Sequence, residues 1–316
     1  MKLKSRISEI EFKKRVFAYS TIIPVVLIFA YVRIIPIFKN FYYCLFNSTV
    51  VNPTAQFIGL ANFKELFGDM YFQIAIKNTF KFALWVTVWS VVFAILLAAV
   101  LQRRGKMSAF YETVFFLPVI TPMVPVSVVW KWIYDPGYGL LNYVLSWFGI
   151  APVGWLVRPD IAITAIIIMT VWKTVGYNML IFLVGIRDIP ETYLEAARID
   201  GASTWQSFWR IIIPLLKPIL LYVLVITTIN SFNVFSQIYV MTGGGQGASG
   251  NSVRTIVFDV YENAFRFYRT GYASAEAVLM FFMILILTIV ELGLGKDRGD
   301  LPKRKRRVLK AEGGER

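Results

Sequence analysis

Histidine is absent from the 316-residue chain and cysteine occurs once, at Cys44. Without imidazole there is no Ser-His-Asp or Cys-His nucleophile, no histidine metal cluster and no imidazole proton relay. A single thiol builds neither a disulfide scaffold nor a thiolate metal site, so no metal, cofactor or catalytic residue is expected. Charge is also scarce: 16% of residues are Asp, Glu, Lys or Arg, against 57% apolar. Soluble domains lie near a quarter charged and about half apolar. A soluble core could not hide this excess, so it is expected to face lipid. The same numbers exclude intrinsic disorder.

Six segments are apolar and long enough to cross about 30 Å of hydrocarbon as helices. They are centred on 16–38, 79–101, 109–134, 160–183, 210–235 and 272–294. The first is not read as a cleaved signal peptide, because its run is too long and no small-residue cleavage site follows. The fold class expected is therefore all-α, a polytopic membrane protein with six transmembrane helices.

The formal charge of +14 is unevenly placed, with +9 of it in residues 1–15 and 296–316. With both termini inside, the inner segments hold 21 bases and the outer loops 8, although the outer loops are longer. That asymmetry places both termini in the cytoplasm. Lys303–Arg307 is accordingly read as a membrane-edge anchor, and no nucleic-acid partner is expected.

The third span carries Pro118, Pro122 and Pro125, and the fifth Pro214 and Pro218. Each removes a backbone donor, so both spans should bend where protein or water satisfies the freed carbonyls. Proline-broken helices favour a transport pathway over a plain anchor, although packing kinks are the simpler account of any one proline. Lys81, Lys173, Lys217, Arg33 and Glu291 are expected to snorkel toward span ends.

The most informative stretch is the fourth loop, 188–206. Pro190 suits a first helical turn and Glu191 a positive helix N-terminus. Tyr193, Leu194, Ala197 and Arg198 continue with helical spacing. Asp200-Gly201 closes the helix, because glycine accepts the left-handed C-cap. Ser203-Thr-Trp-Gln206 then has the form of a capping box that opens the fifth span. Taken alone, this short helix is either an interfacial connector lying on headgroups or a docking surface for another protein, approached through Ala196 and Ala197.

Glu195-Ala-Ala-Arg-Ile-Asp-Gly201, followed by Ile213-Pro214, resembles the EAA signature of permease subunits of bacterial ABC importers. Further strings resemble the sugar and polyol branch of maltose and glycerol-3-phosphate type. They are Gly59-Leu-Ala-Asn-Phe63, Asn78-Thr79, Trp130-Lys-Trp-Ile-Tyr-Asp-Pro136 with Gly139-Leu-Leu-Asn142, Trp172-Lys-x-x-Gly176, Tyr239-Val-Met-Thr-Gly-Gly244 and Gly271-Tyr-Ala-Ser-Ala275. Two departures are Gly245, where the family has proline, and Glu276, where it tends to be apolar. The resemblance implies a type I ABC importer permease fold. It implies a basic N-terminus, first helix and outer loop over 1–72, a five-helix core over 73–292 and a basic tail over 293–316. Glu195, Ala196, Ala197, Asp200, Gly201 and Pro214 would couple to an ATPase. The partners implied are a second homologous permease subunit, two cytoplasmic ATPase subunits, an extracytoplasmic solute-binding protein and a sugar, all at the inner (plasma) membrane bilayer. No Gly-x-x-x-x-Gly-Lys-Ser/Thr phosphate loop occurs in the sequence, so ATP hydrolysis would belong to a partner.

A sugar site needs amide and hydroxyl groups interleaved with aromatic faces near mid-membrane. Tyr177, Asn178, Asn230, Asn233 and Tyr239 meet that description, although such residues equally serve as hydrogen-bond glue between helices. Other readings of six spans are an ion-coupled sugar carrier acting alone, a non-transporting scaffold, and an ABC permease for a non-sugar solute such as glycerol-3-phosphate. The first is disfavoured by the lack of an intramembrane acidic chain.

Overall fold

The computed structural model describes residues 2–49, 56–102, 105–244 and 250–295. The basic tail from residue 296 onward, Arg103, Arg104 and Gly245 lie outside the described residues. Among the described residues there is no strand, and Phe46 and Phe57 form one isolated bridge. Everything else of regular structure is helical: α1 (Lys2–Phe29), a π-helical turn (Ala30–Ile34), α2 (Ile35–Tyr43), α3 (Ala61–Gly68), α4 (Met70–Leu101), α5 (Lys106–Ile120), α6 (Met123–Ile133) and α7 (Leu140–Ser146). There follow α8 (Ala162–Arg187), α9 (Glu191–Ile199), α10 (Thr204–Ser207), a second π turn (Phe208–Ile212), α11 (Ile213–Leu215), α12 (Lys217–Phe232) and α13 (Ser236–Met241). A 3₁₀ turn (Gly250–Val253), α14 (Ile256–Tyr261), a third π turn (Glu262–Arg266) and α15 (Thr270–Gly295) complete the described residues.

Four continuous helical runs are long and apolar enough to cross a membrane: Glu11–Tyr43, Met70–Leu101, Ala162–Arg187 and Thr270–Gly295. Two further spans are bent pairs, α5 with α6 at 100° and the α10–α11 stretch with α12 at 70°. Counting each pair once gives the six spans expected, and the bends fall at the prolines. The first break is at Thr121–Pro122, and the second at Leu216 between Pro214 and Pro218.

Contacts divide the chain into two units. One comprises residues 1–69 with 259–280. Here Asn62 donates its amide to the carbonyls of Cys44 at 2.9 Å and Phe46 at 3.1 Å. Gly271 lies where a Cβ would stand 2.1 Å from the Phe46 carbonyl oxygen. Tyr272 donates its hydroxyl to Asp69 at 2.7 Å, and the Arg269 guanidinium sits 4.2 Å over the Tyr272 ring. Glu276, fully buried in α15, accepts from the Asn263 amide at 2.9 Å, and the same amide reaches Asp259 at 3.3 Å. A buried carboxylate needs such donors, so the acid that breaks the family pattern has a defined structural setting.

The other unit comprises residues 70–258 with 281–316. Its axis is the pair α4 and α8. The buried stripe of α4 is small at every turn, running Ala75, Thr79, Ala83, Thr87, Ser90, Ala94 and Ala98. Small residues at that spacing let helix backbones approach closely in lipid. Two apolar clusters stack along the pair, one around Phe82, Ile166, Met169 and Ile238, the other around Ala98, Phe182, Leu183 and Phe208. α5 packs on α8, α12 on α4, and α13 on α6.

Candidate coupling loop and polar faces

The helix, break, helix pattern read for residues 188–206 is present. Pro190 is the N-cap of α9 rather than its first helical residue, with Glu191 opening the helix one position later. At the other end Gly201 has φ +77°, the Ala202 N–H donates to the Ala197 carbonyl at 2.8 Å and the Gly201 N–H to the Arg198 carbonyl at 3.1 Å. Those two bonds form the Schellman motif. Two residues on, Ser203 Oγ accepts from the Gln206 N–H at 3.2 Å and Gln206 Oε1 from the Ser203 N–H at 2.8 Å, the reciprocal capping box. The turn between α9 and α10 is therefore closed by local bonds on both sides.

α9 presents one side to the protein and one outward. Ala197 is buried and Leu194 half-buried, whereas Tyr193, Glu195, Ala196, Asp200 and Gly201 are exposed. Ile199 is 86% exposed. Tyr193, Ala196 and Ile199, three apart, make an apolar edge that nothing among the described residues covers. Pro214 is also exposed, at the start of α11. Between α9 and the ends of α4 and α8 lies a polar hollow of about 850 Å³, lined by Gln102, Arg187, Asp188, Arg198 and Ser207 among others.

The polar groups proposed for a pathway are not gathered in one cavity. Asn178 is 1% exposed and donates to Ser90 Oγ at 3.4 Å and Thr227 Oγ1 at 3.2 Å, so its amide ties α8 to α4 and α12. Tyr177 is exposed, and its hydroxyl pairs with that of Tyr222. Asn230, Asn233 and Tyr239 are exposed on α12, at its end and on α13. Asn233 donates to the Ile229 carbonyl at 2.8 Å and occupies the C-cap where α12 stops.

The charged residues expected to snorkel include two that do otherwise. Lys173 Nζ donates to the carbonyls of Pro118 at 2.8 Å and Thr121 at 2.6 Å, so it is tied to the break of the third span. Glu291 accepts the Thr228 hydroxyl at 2.7 Å, linking α15 to α12. Both groups found a partner on a neighbouring helix, which in a low-dielectric setting outweighs stretching to the interface.

Several family-like strings prove to be bolts between segments. Asn142 accepts from the Val153 N–H at 3.1 Å and the Trp155 indole at 3.0 Å, and donates to the Val153 carbonyl at 3.0 Å. Asn78 donates to the carbonyls of Asn251 and Arg254, and Thr79 accepts from the Ile256 N–H at 2.9 Å. Gly176 sits where a Cβ would lie 1.9 Å from the Phe115 carbonyl oxygen, which is how α5 comes so close to α8. Sequence reading missed Glu112 altogether. The signal available was an acid inside an apolar span, one turn after Ser108.

Residues 90–295, from the middle of α4 to the end of α15, match the family described as binding-protein-dependent transport system inner membrane component. The chain belongs to that family. It is a transporter permease, not an enzyme. This permease is 35% identical over 284 residues to "Probable ABC transporter permease protein YurN" of Bacillus subtilis (strain 168), covering 89% of this chain and 96% of the relative. It is 32% identical over 293 residues to "Trehalose/maltose transport system permease protein MalF" of Thermococcus litoralis, covering 93% of this chain and 98% of the relative. Its fold matches a chain of the crystal structure of a bacterial ABC transporter involved in the import of the acidic polysaccharide alginate. There the TM-score is 0.80 at 23% identity, over 90% of this permease and 96% of that chain.

Proposed function

We propose that this permease is the membrane-spanning half of an ATP-driven importer of a carbohydrate, an oligosaccharide or related polyol delivered by a solute-binding protein. It would work with a second homologous permease and two ATPase subunits on the cytoplasmic side, both of its termini lying on that side. The observation that carries the reading is α9. A nine-residue helix locked by a Schellman turn and a capping box exposes the apolar edge Tyr193, Ala196 and Ile199 to a partner, next to Glu195 and Gly201. A rigid, uncovered helix between two spans is suited to pass a push from an ATPase to the bundle. ATP binding would then favour one of two global states, which is alternating access. The basic distribution of the sequence supports the cytoplasmic placement of this loop.

Tyr177, Asn230, Asn233 and Tyr239 would offer the sugar hydroxyl, amide and ring contacts, with Asn178 fixing the helices behind them. The carbohydrate assignment is supported by the substrates named for the MalF relative and by the polar and aromatic character of these faces.

The test is reconstitution. The permease purified with whatever it carries should bring a second permease and ATPase subunits. Vesicles of that complex should take up an oligosaccharide from a radiolabelled panel (maltose, trehalose, maltotriose) only with ATP and the binding protein. Gradient-driven uptake by this chain alone would instead make it a secondary carrier. Uptake of glycerol-3-phosphate but no sugar in the panel would move the substrate class.

A further inference from the structure

Three helix ends meet one residue before the coupling loop begins. Arg187 is the last residue of α8, and Asp188 its C-cap. Its Nη2 donates to Glu112 Oε1 at 2.7 Å, to Ser108 Oγ at 3.2 Å and to the Leu101 carbonyl at 3.1 Å. Its Nε reaches the Gln102 carbonyl at 3.4 Å. Ser108 Oγ in turn donates to Glu112 Oε1 at 2.7 Å and is 2.8 Å from the Leu101 carbonyl oxygen. One guanidinium thus gathers the final carbonyls of α4, the first turns of α5 and the end of α8. Carbonyls at a helix C-terminus have no intrahelical donor and carry negative partial charge, so a fixed cation suits them. The planar fork of arginine reaches the carboxylate and the carbonyls together, which a lysine ammonium does not. The Arg187 and Glu112 side chains are 22% and 21% exposed, sheltered enough for the pair to hold one geometry.

The two ends of α9 are anchored differently. Its far end is closed by its own bonds at Gly201 and Ser203, with Ala197 buried against the bundle. The hollow of about 850 Å³ separates it from the ends of α4 and α8. At its near end the N-cap, Pro190, is three residues from Arg187. We infer that Arg187, held by Glu112 and Ser108, is the positioning residue that fastens the root of the coupling helix to α4 and α5, so that a push on α9 moves those helices rather than bending the loop. This rests on the reading of α9 as the ATPase contact.

The test is carried out in the full reconstituted complex, measuring the sugar that wild-type vesicles take up and the ATP consumed in the same sample. Glu112→Gln keeps shape and removes the charge, and Arg187→Met keeps the length of the stem. Both are expected to lower sugar moved per ATP at least fivefold while ATP hydrolysis changes less than twofold. Arg187→Lys should recover part of that ratio. If either substitution prevents assembly, Ser108→Ala, which takes one hydrogen bond from the network, is read in the same way and is expected to lower the ratio at least twofold. A ratio equal to wild type, or uptake and hydrolysis falling together, overturns the inference. Wild-type vesicles that show no ATP-driven uptake would instead overturn the functional reading itself.

Discussion

Lys173 supplies to Pro118 the hydrogen bond that Pro122 cannot. In an α-helix the N–H of residue 122 would bond the carbonyl of 118, and that of residue 125 the carbonyl of 121. Both donors are missing because both residues are prolines. Lys173 Nζ donates to those same two carbonyls, at 2.8 Å to Pro118 and 2.6 Å to Thr121. The 100° bend between α5 and α6 is therefore completed by a side chain from α8.

Lys173→Met should leave both carbonyls without that donor and cost about 2 kcal/mol, given what hydrogen bonds to charged groups contribute. The expected outcome is a lower melting temperature in detergent, with Lys173→Arg losing less. An unchanged melting temperature for Lys173→Met would show that water caps the break equally well.

Gly176 and Gly185 lie on the same helix and should respond differently to alanine. At Gly176 the added Cβ meets backbone, the Phe115 carbonyl oxygen at 1.9 Å, so α5 and α8 must separate. At Gly185 it meets side-chain ends, Ile219 Cδ1 at 2.2 Å and Leu216 Cδ2 at 2.9 Å, which can change rotamer. Overpacking costs about 1–3 kcal/mol, and Gly176→Ala belongs at the top of that range or beyond. Folded yield and thermal unfolding of the two variants, compared side by side, check the order.

Gly201→Ala is a test of conformation alone, since nothing stands within 4 Å of the added Cβ and the residue holds φ +77°. The left-handed geometry costs an L-residue about 1–2 kcal/mol, enough to unwind the Schellman turn without unfolding the bundle. Membrane insertion should be normal while ATPase copurification and uptake fall several-fold. Gly201→Asn, which tolerates that region better, should be milder.

Asn142→Ala removes the amide that joins residues 135–142 to Val153 and Trp155. Leaving buried partners unpaired costs about 1–3 kcal/mol. The segment between α6 and α8 should become several-fold more sensitive to limited proteolysis, with α4 and α12 unaffected.

What could be read from sequence was local. Six apolar runs gave the spans because each must be at least as long as the hydrocarbon is thick. Prolines marked both bends because a missing donor acts within one turn. Gly201 and the Ser203–Gln206 pair marked the ends of α9 and α10 because cap chemistry spans four residues. Proline and glycine at those places left little choice to the backbone. The exact start of α9 was off by one residue, at Pro190, because N-cap and first-turn positions both suit proline.

The partners of the polar groups were decided only in three dimensions. Lys173 was expected at a span end and is tied to carbonyls 52 and 55 residues away in the chain. Arg187 is one of the 21 bases of the inner segments, yet it joins Glu112 across 75 residues. Asn178 had two readings from composition, and only the structure shows its amide buried between Ser90 and Thr227. Which segments live in lipid and where they break follow from hydrophobic length and backbone donors, which are properties of consecutive residues. Tertiary structure alone decided where each buried charge and amide is satisfied, since in a low-dielectric interior that depends on which helix happens to bring a donor within about 3 Å.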